Sequence, residues 1–219
     1  MKNNSPLPGN RHYEVSITKE ELATLNPEKF EGEIVVVDTE EGAVEAAAEL
    51  KKADMIGFDT ETRPAFQKGQ INHVALLQLV TPTRAFLIRL SRIGLPEIIK
   101  NILEDENLLK VGLSIKDDFH NLNKLTRLEP KGFIDLQEYV RHFQIADASL
   151  TKIHSIVFGK RISKSQQLTN WELPILTQRQ KEYAALDAMA CINIYRHLSS
   201  GKFDPESSPY YRLKEKGEE

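Results

Sequence analysis

Residues 74–80, Val-Ala-Leu-Leu-Gln-Leu-Val, are apolar at nearly every position. A strand with one wet face would alternate; an unbroken run suits a central strand buried on both faces. Such a strand needs covering layers, and the rest of the chain provides them. Strands are expected at 33–37, 55–59, 85–88, 108–112 and 133–135, with 85–88 as the hairpin partner of 74–80 and Pro82 in the turn. Helices are expected at 39–52 (capped by Asp38 or Thr39), 95–103, 115–125, 136–144, 149–158 and 178–199. The fold class is therefore α/β: a central mixed β-sheet flanked by helices, with a mostly helical C-terminal half.

The 219 residues suit one domain. Residues 1–30 read as an N-terminal arm with a helical turn near 20–25. Residues 31–200 form the domain, and 201–219, rich in Pro, Ser, Lys and Glu, read as a flexible tail. The lone Cys191 allows no internal disulfide and points to a reducing compartment. The polar N-terminus lacks a signal-type run, and no stretch is long and apolar enough to span a membrane. The expected location is cytoplasmic. The net charge of −3 excludes tight gripping of nucleic acid by bulk charge, so such contact must be local or helped by bound cations.

Three acidic motifs carry the chemistry. In Ile56-Gly57-Phe58-Asp59-Thr60-Glu61, residues i and i+2 of a strand share a face, so Asp59 and Glu61 project together. Their repulsion calls for hard cations with oxygen ligands; a solvated loop is the plainer alternative. In Val111-Gly112-Leu113-Ser114-Ile115-Lys116-Asp117-Asp118, a strand ends and a helix opens with acids in its first turn, where they also complement the helix dipole. In Tyr183-Ala184-Ala185-Leu186-Asp187, helical spacing puts Tyr183, Asp187 and Cys191 on one stripe. An Asp among apolar neighbours needs a partner, either a cation or a nearby Lys or Arg. Cys191 reads as core packing.

Together these motifs resemble the DEDD superfamily of 3′→5′ exonucleases, of ribonuclease H-like fold. Tyr-x-x-x-Asp, where a sister group has His-x-x-x-x-Asp, marks the DEDDy subgroup, with ribonuclease D and the Werner-type exonuclease domains. The resemblance runs over about 33–199. It includes Ala75–Leu79, Phe133-Ile134-Asp135-Leu136, Ser149-Leu150, Lys164-Ser165-Gln166-Gln167, Asn170-Trp171 and Leu176-Thr177-x-x-Gln180. Aligned on Gly112 and Leu122, Asp118 takes the family's second-motif position, with Asp117 as a cap or outer acid.

The resemblance implies two divalent cations, Mg²⁺ or Mn²⁺, held by Asp59, Glu61, Asp118 and Asp187, with Tyr183 orienting the attacking water. It implies release of nucleoside 5′-monophosphates from nucleic acid with a free 3′ end. DNA is placed ahead of RNA. A ribonuclease D-like RNA trimmer and a catalytically inactive binding module of the same fold are the alternatives. Residues 151–182 hold six basic residues against two acids, whereas 28–49 hold eight acids and one Lys. The substrate backbone is expected along the former, on Lys160, Arg161 and Lys164. Thr60, Phe119 and His120 are further substrate-binding candidates: one of the last two rings stacks on the terminal base, with core packing the plainer reading of Phe119. The loop at 63–70 is a candidate clamp.

Overall fold

The computed structural model describes residues 12–64 and 72–214. In chain order these form β1 (Tyr13–Val15), α1 (Lys19–Thr24), β2 (Glu33–Val37), α2 (Glu40–Leu50), β3 (Met55–Thr62), β4 (Val74–Val80) and β5 (Arg84–Ile88). There follow α3 (Leu90–Ile93), α4 (Glu97–Glu104), β6 (Leu109–Gly112), α5 (Ile115–Leu122), β7 (Phe133–Asp135) and α6 (Leu136–Tyr139). The chain ends with α7 (Leu150–Phe158), α8 (Gln178–Ser199) and β8 (Tyr211–Leu213).

Six strands form one mixed sheet in the order β2-β5-β4-β3-β6-β7. The β3–β4 and β4–β5 pairs are antiparallel; β2–β5, β3–β6 and β6–β7 are parallel. All seven residues of β4 are buried, as its apolar run requires. Leu77 and Leu79 join Phe58, Ile88 and the apolar sides of α2, α4 and α5 on one face. Leu76 and Val80 meet α8 on the other, through Ala184, Ala185 and Ala188.

Thr39 caps α2, accepting from the Gly42 N–H at 3.1 Å. The helix expected over 115–125 stops at Leu122. There the Asn123 side chain donates to the Phe119 carbonyl and accepts from the Leu128 N–H, competing with the next helical bonds. The helix expected over 136–144 gives way after Tyr139 to a tighter turn that closes at Gln144, with φ of 58°.

The described parts of the expected arm and tail are neither free nor frayed. β1 and β8 pair antiparallel, Tyr13 opposite Leu213. Val15 and Ile17 are buried beside Leu136, Ile153 and Ile194, and the Ile17 N–H donates to Asp147 at 2.9 Å. Apolar burial and ladder hydrogen bonds offset the entropy of ordering both ends. Helix α1 carries a capping box between Thr18 and Glu21. Of the candidate clamp loop at 63–70, residues 65–70 lie outside the described residues. Among the described residues no helix is long and apolar enough to cross a membrane.

Candidate active site

Strand β3 carries Asp59 and Glu61 on the face that α8 covers. Gly57, two residues earlier on that face, permits the approach: a Cβ there would lie 2.0 Å from the Ala188 carbonyl oxygen. Small residues on α8 continue the close contact and bring Asp187 with them. Ligand oxygens of Asp59, Glu61 and Asp187 all lie within 4.8 Å of one another. Tyr183, Asp187 and Cys191 line the same cleft, as their four-residue spacing requires.

The run before α8 acts as a brace. Thr177 and Gln180 form the N-terminal capping box. The buried Gln180 side chain also donates to Thr169 Oγ1 at 3.0 Å and to the Asn170 carbonyl at 3.1 Å. Trp171 is fully buried, its ring 6.1 Å from that of Tyr183. The family-like residues Asn170, Trp171, Thr177 and Gln180 thus hold the helix that carries Tyr183 and Asp187.

Asp118 arrives from the other face. Helix α5 opens at Ser114, whose φ of 61° is left-handed. The Asp135 carboxylate accepts from the N–H groups of Ser114 (2.9 Å) and Ile115 (3.2 Å), so β7 caps this helix. One turn in, Asp118 accepts a hydrogen bond from the Thr60 hydroxyl. Asp117 is exposed. The structure therefore turns Asp118, and not its neighbour, toward Thr60 of β3, while Asp118 stands outside the converging group of Asp59, Glu61 and Asp187.

An open cleft of about 450 Å³ lies where β3 and α8 meet. Asp59, Thr60, Glu61, Tyr183 and Asp187 line it, with Lys164 across from them. Sequence reasoning gave no role to four further lining residues, Gln137, Ser149, Thr151 and Gln167. Ser149 and Gln167 stood inside family-like motifs, which was the available signal.

The substrate candidates separate. Thr60 and Lys164 reach the cleft. Lys160 pairs with Glu28 at 3.0 Å, and the Arg161 Nε–H donates to the Leu25 carbonyl at 2.9 Å. Both are engaged because residues 26–28 run beside Arg161. Phe119 packs its ring 4.7 Å from that of Phe133 and 5.8 Å from that of Phe58, which places it with the core instead of a base. His120 is exposed and outside the cleft lining.

The electrostatics are those of crowded, buried acids. Burial and then the nearby Asp187 and Asp118 hold the Asp59 carboxyl well above the usual range. Burial and Asp59 push Glu61 up to about 10. Burial raises Asp187 to about 7, partly countered by the Tyr183 hydroxyl and Lys164. Burial raises Asp118 to about 6, against the Thr60 hydrogen bond. Tyr183 moves further up, through burial and the Asp187 charge. Asp187 Oδ1 is buried without a hydrogen-bond partner among the described residues. An orphaned carboxylate oxygen beside two more carboxylates fits hard divalent cations such as Mg²⁺ or Mn²⁺.

Comparisons with known proteins agree with this geometry. A family model described as 3′-5′ exonuclease matches residues 34–201. The bifunctional 3′-5′ exonuclease/ATP-dependent helicase WRN of Mus musculus is 31% identical over 157 residues, covering 69% of this chain and 11% of that protein. The chain thus spans a small part of that relative's length. Among solved structures, the Nibbler EXO domain of Aedes aegypti superposes with a TM-score of 0.71 at 24% identity, covering 82% of this chain and 96% of that one. Ribonuclease D of Trypanosoma brucei in complex with RNA U12 gives 0.67 at 24% identity, covering 77% and 63%. These likenesses show the fold and meet the ribonuclease H-like expectation.

Proposed function

The chain belongs to the 3′-5′ exonuclease family, and from that premise we propose that it hydrolyses nucleic acid stepwise from a free 3′ end, releasing nucleoside 5′-monophosphates. One observation carries the reading: Asp59, Glu61 and Asp187 converge within 4.8 Å in an open cleft that Tyr183 also lines. Asp59, Glu61 and Asp187 would hold one divalent cation, and Asp59 with Asp118 a second. When bound, such cations polarise water and stabilise the leaving 3′ oxygen of an in-line displacement.

The chain's own groups do the positioning. Burial and adjacent carboxylates keep the Tyr183 hydroxyl protonated. With an ordinary phenol pKa of about 10 it is already a poor base at neutral pH, and it would serve as a hydrogen-bonding post that orients the attacking water. Lys164, at the cleft wall, offers a positive group to the phosphate. Water oxygen joins phosphorus and releases a proton to solvent, the P–O3′ bond breaks, and the leaving O3′ takes up a proton, so the shortened strand ends in a 3′ hydroxyl and a nucleoside 5′-monophosphate is released.

The test is digestion of 5′-labelled and 3′-labelled oligonucleotides with Mg²⁺ or Mn²⁺, beside Asp59→Asn. A 5′-labelled strand should shorten as a ladder, and a 3′ label should leave at once as a mononucleotide. Cleavage that starts at the 5′ end, or that survives Asp59→Asn, refutes the mechanism. An inactive binding module would bind without cutting. DNA is proposed as the first substrate, on the resemblance of residues 164–187 to Werner-type domains. RNA is the second reading, supported by the fold likeness to a ribonuclease D bound to RNA. Matched DNA and RNA dodecamers separate the two by kcat/KM.

A further inference from the structure

A second groove, of about 520 Å³, opens beside the catalytic cleft and shares Ser149, Thr151 and Lys164 with it. Its other wall is helix α1, through Lys19, Leu22 and Ala23. This wall lies outside residues 34–201, the part that matches the exonuclease family model. Lys152 and Arg161 also line the groove, giving it four basic side chains and no carboxylate among the described lining residues. Lys19 and Lys164 are exposed. Lys152 is held in place by Asp147 at 2.6 Å.

The wall is built, not draped. The Ile17 N–H donates to Asp147 ahead of α1. Behind α1, the Arg161 N–H donates to the Asn26 carbonyl at 3.0 Å and the Glu28 N–H to the Arg161 carbonyl at 2.9 Å. The floor combines apolar Leu22 and Ile162 with the cations. Cations beside apolar surface suit one ligand chemistry: a single polynucleotide strand, phosphates on the lysines and base faces on the aliphatic groups.

We infer that this groove is a track for the strand upstream of the scissile 3′ end, with one wall built by an N-terminal segment that lies outside residues 34–201. It rests on the nucleic-acid reading above. With a net charge of −3, an electrostatic grip on nucleic acid must be local or helped by bound cations, and this groove offers a local one. It also revises the expected basic surface: exposed Lys19 joins exposed Lys164 as its free cations, while Lys160 is paired with Glu28, Lys152 with Asp147, and the Arg161 Nε–H with the Leu25 carbonyl.

The experiment is fluorescence anisotropy of a labelled single-stranded dodecamer and of a dinucleotide, using the full chain in an Asp59→Asn background. Lys19→Glu should weaken dodecamer binding about five- to tenfold and flatten the salt dependence by roughly 0.7 in log–log slope, the contribution of one phosphate contact. Ala23→Lys, which adds a cation to the same exposed wall, should tighten dodecamer binding about threefold. The dinucleotide, too short to enter the groove, should lose far less than the dodecamer. Equal dodecamer affinities in all three proteins overturn the inference, as does an equal loss for both lengths. Binding that follows this pattern while the unsubstituted chain digests nothing leaves the groove standing and removes the exonuclease reading instead.

Discussion

The Thr60 hydroxyl donates a hydrogen bond to Asp118. Thr60 stands between Asp59 and Glu61, so its side chain leaves β3 on the opposite face. Three consecutive residues thereby tie β3 to both acid-bearing helices: Asp59 and Glu61 meet Asp187 on α8, and Thr60 meets Asp118 on α5. Thr60→Val should lower kcat while leaving the fold intact. A hydrogen bond to a charged group contributes about 1.5–3 kcal/mol, so the loss should be roughly ten- to a hundredfold. Thr60→Ser should recover most of it. A valine variant with unaltered kcat would show that the contact does not matter to the reaction.

Gly57 sets how near α8 lies to β3. Adding one methyl group puts a carbon 2.0 Å from the Ala188 carbonyl oxygen, far inside contact distance, and the obstacle is backbone. Gly57→Ala must therefore push the helix away and carry Asp187 from Asp59 and Glu61. Overpacking of a tight core costs about 1–3 kcal/mol. We expect a lower thermal midpoint, and activity that falls further than the lost stability explains. Retention of both midpoint and activity would contradict the close-packing account.

Much of this site was legible in the sequence because its rules are local. The i, i+2 rule paired Asp59 with Glu61, and the four-residue helical spacing aligned Tyr183 with Asp187. The unbroken run at 74–80 demanded a two-sided core. Relations set by distant chain segments left weaker traces. Pairing of Tyr13–Val15 with Tyr211–Leu213 joins three-residue strands across almost the whole chain, although the alternation Tyr13-Glu14-Val15-Ser16-Ile17 was a signal for it. The count of basic residues at 151–182 carried no direction, so it did not separate Lys160, bound to Glu28, from Lys164 at the cleft. Phe119 beside an acid was open to two readings, a stacking platform or core packing, and its helix turns it into the core toward Phe58 and Phe133.

Asp135 should matter without touching substrate. Its carboxylate accepts from the N–H groups of Ser114, Ile115 and Gln137, so it caps two helices at once. Losing a cap costs about 1–2 kcal/mol. Asp135→Ala should lower the thermal midpoint and release the start of α5, with Asp118 one turn along it. The diagnostic readout is the cation concentration for half-maximal rate, which should rise as Asp118 loses its place. Asp135→Asn, which keeps one accepting oxygen, should fall between. If alanine alters the midpoint but leaves cation dependence untouched, Asp135 supports the fold alone.

The crowded carboxylates make a prediction about pH in the cation-free protein. Folding raises Glu61 to about 10, Asp187 to about 7 and Asp118 to about 6, whereas the unfolded chain titrates these groups near 4. Above that value the folded state retains protons that the unfolded state has released. The stabilising contribution of these groups is complete below about pH 4; that of Asp118 and Asp187 is lost as pH rises through 6 and 7, and that of Glu61 only toward 10. Buried His154, whose pKa burial lowers, works in the opposite sense near pH 6. The comparison must therefore be between the wild type and Asp187→Asn, which share His154. The wild-type thermal midpoint in EDTA should fall relative to the variant between pH 5.5 and 7.5. Added Mg²⁺ or Mn²⁺ should reverse that fall, and the upward shift should be larger at pH 7.5, because bound cations need ionised ligands. A cation-induced shift of equal size at both pH values would mean that these carboxylates are not the groups the cation displaces protons from.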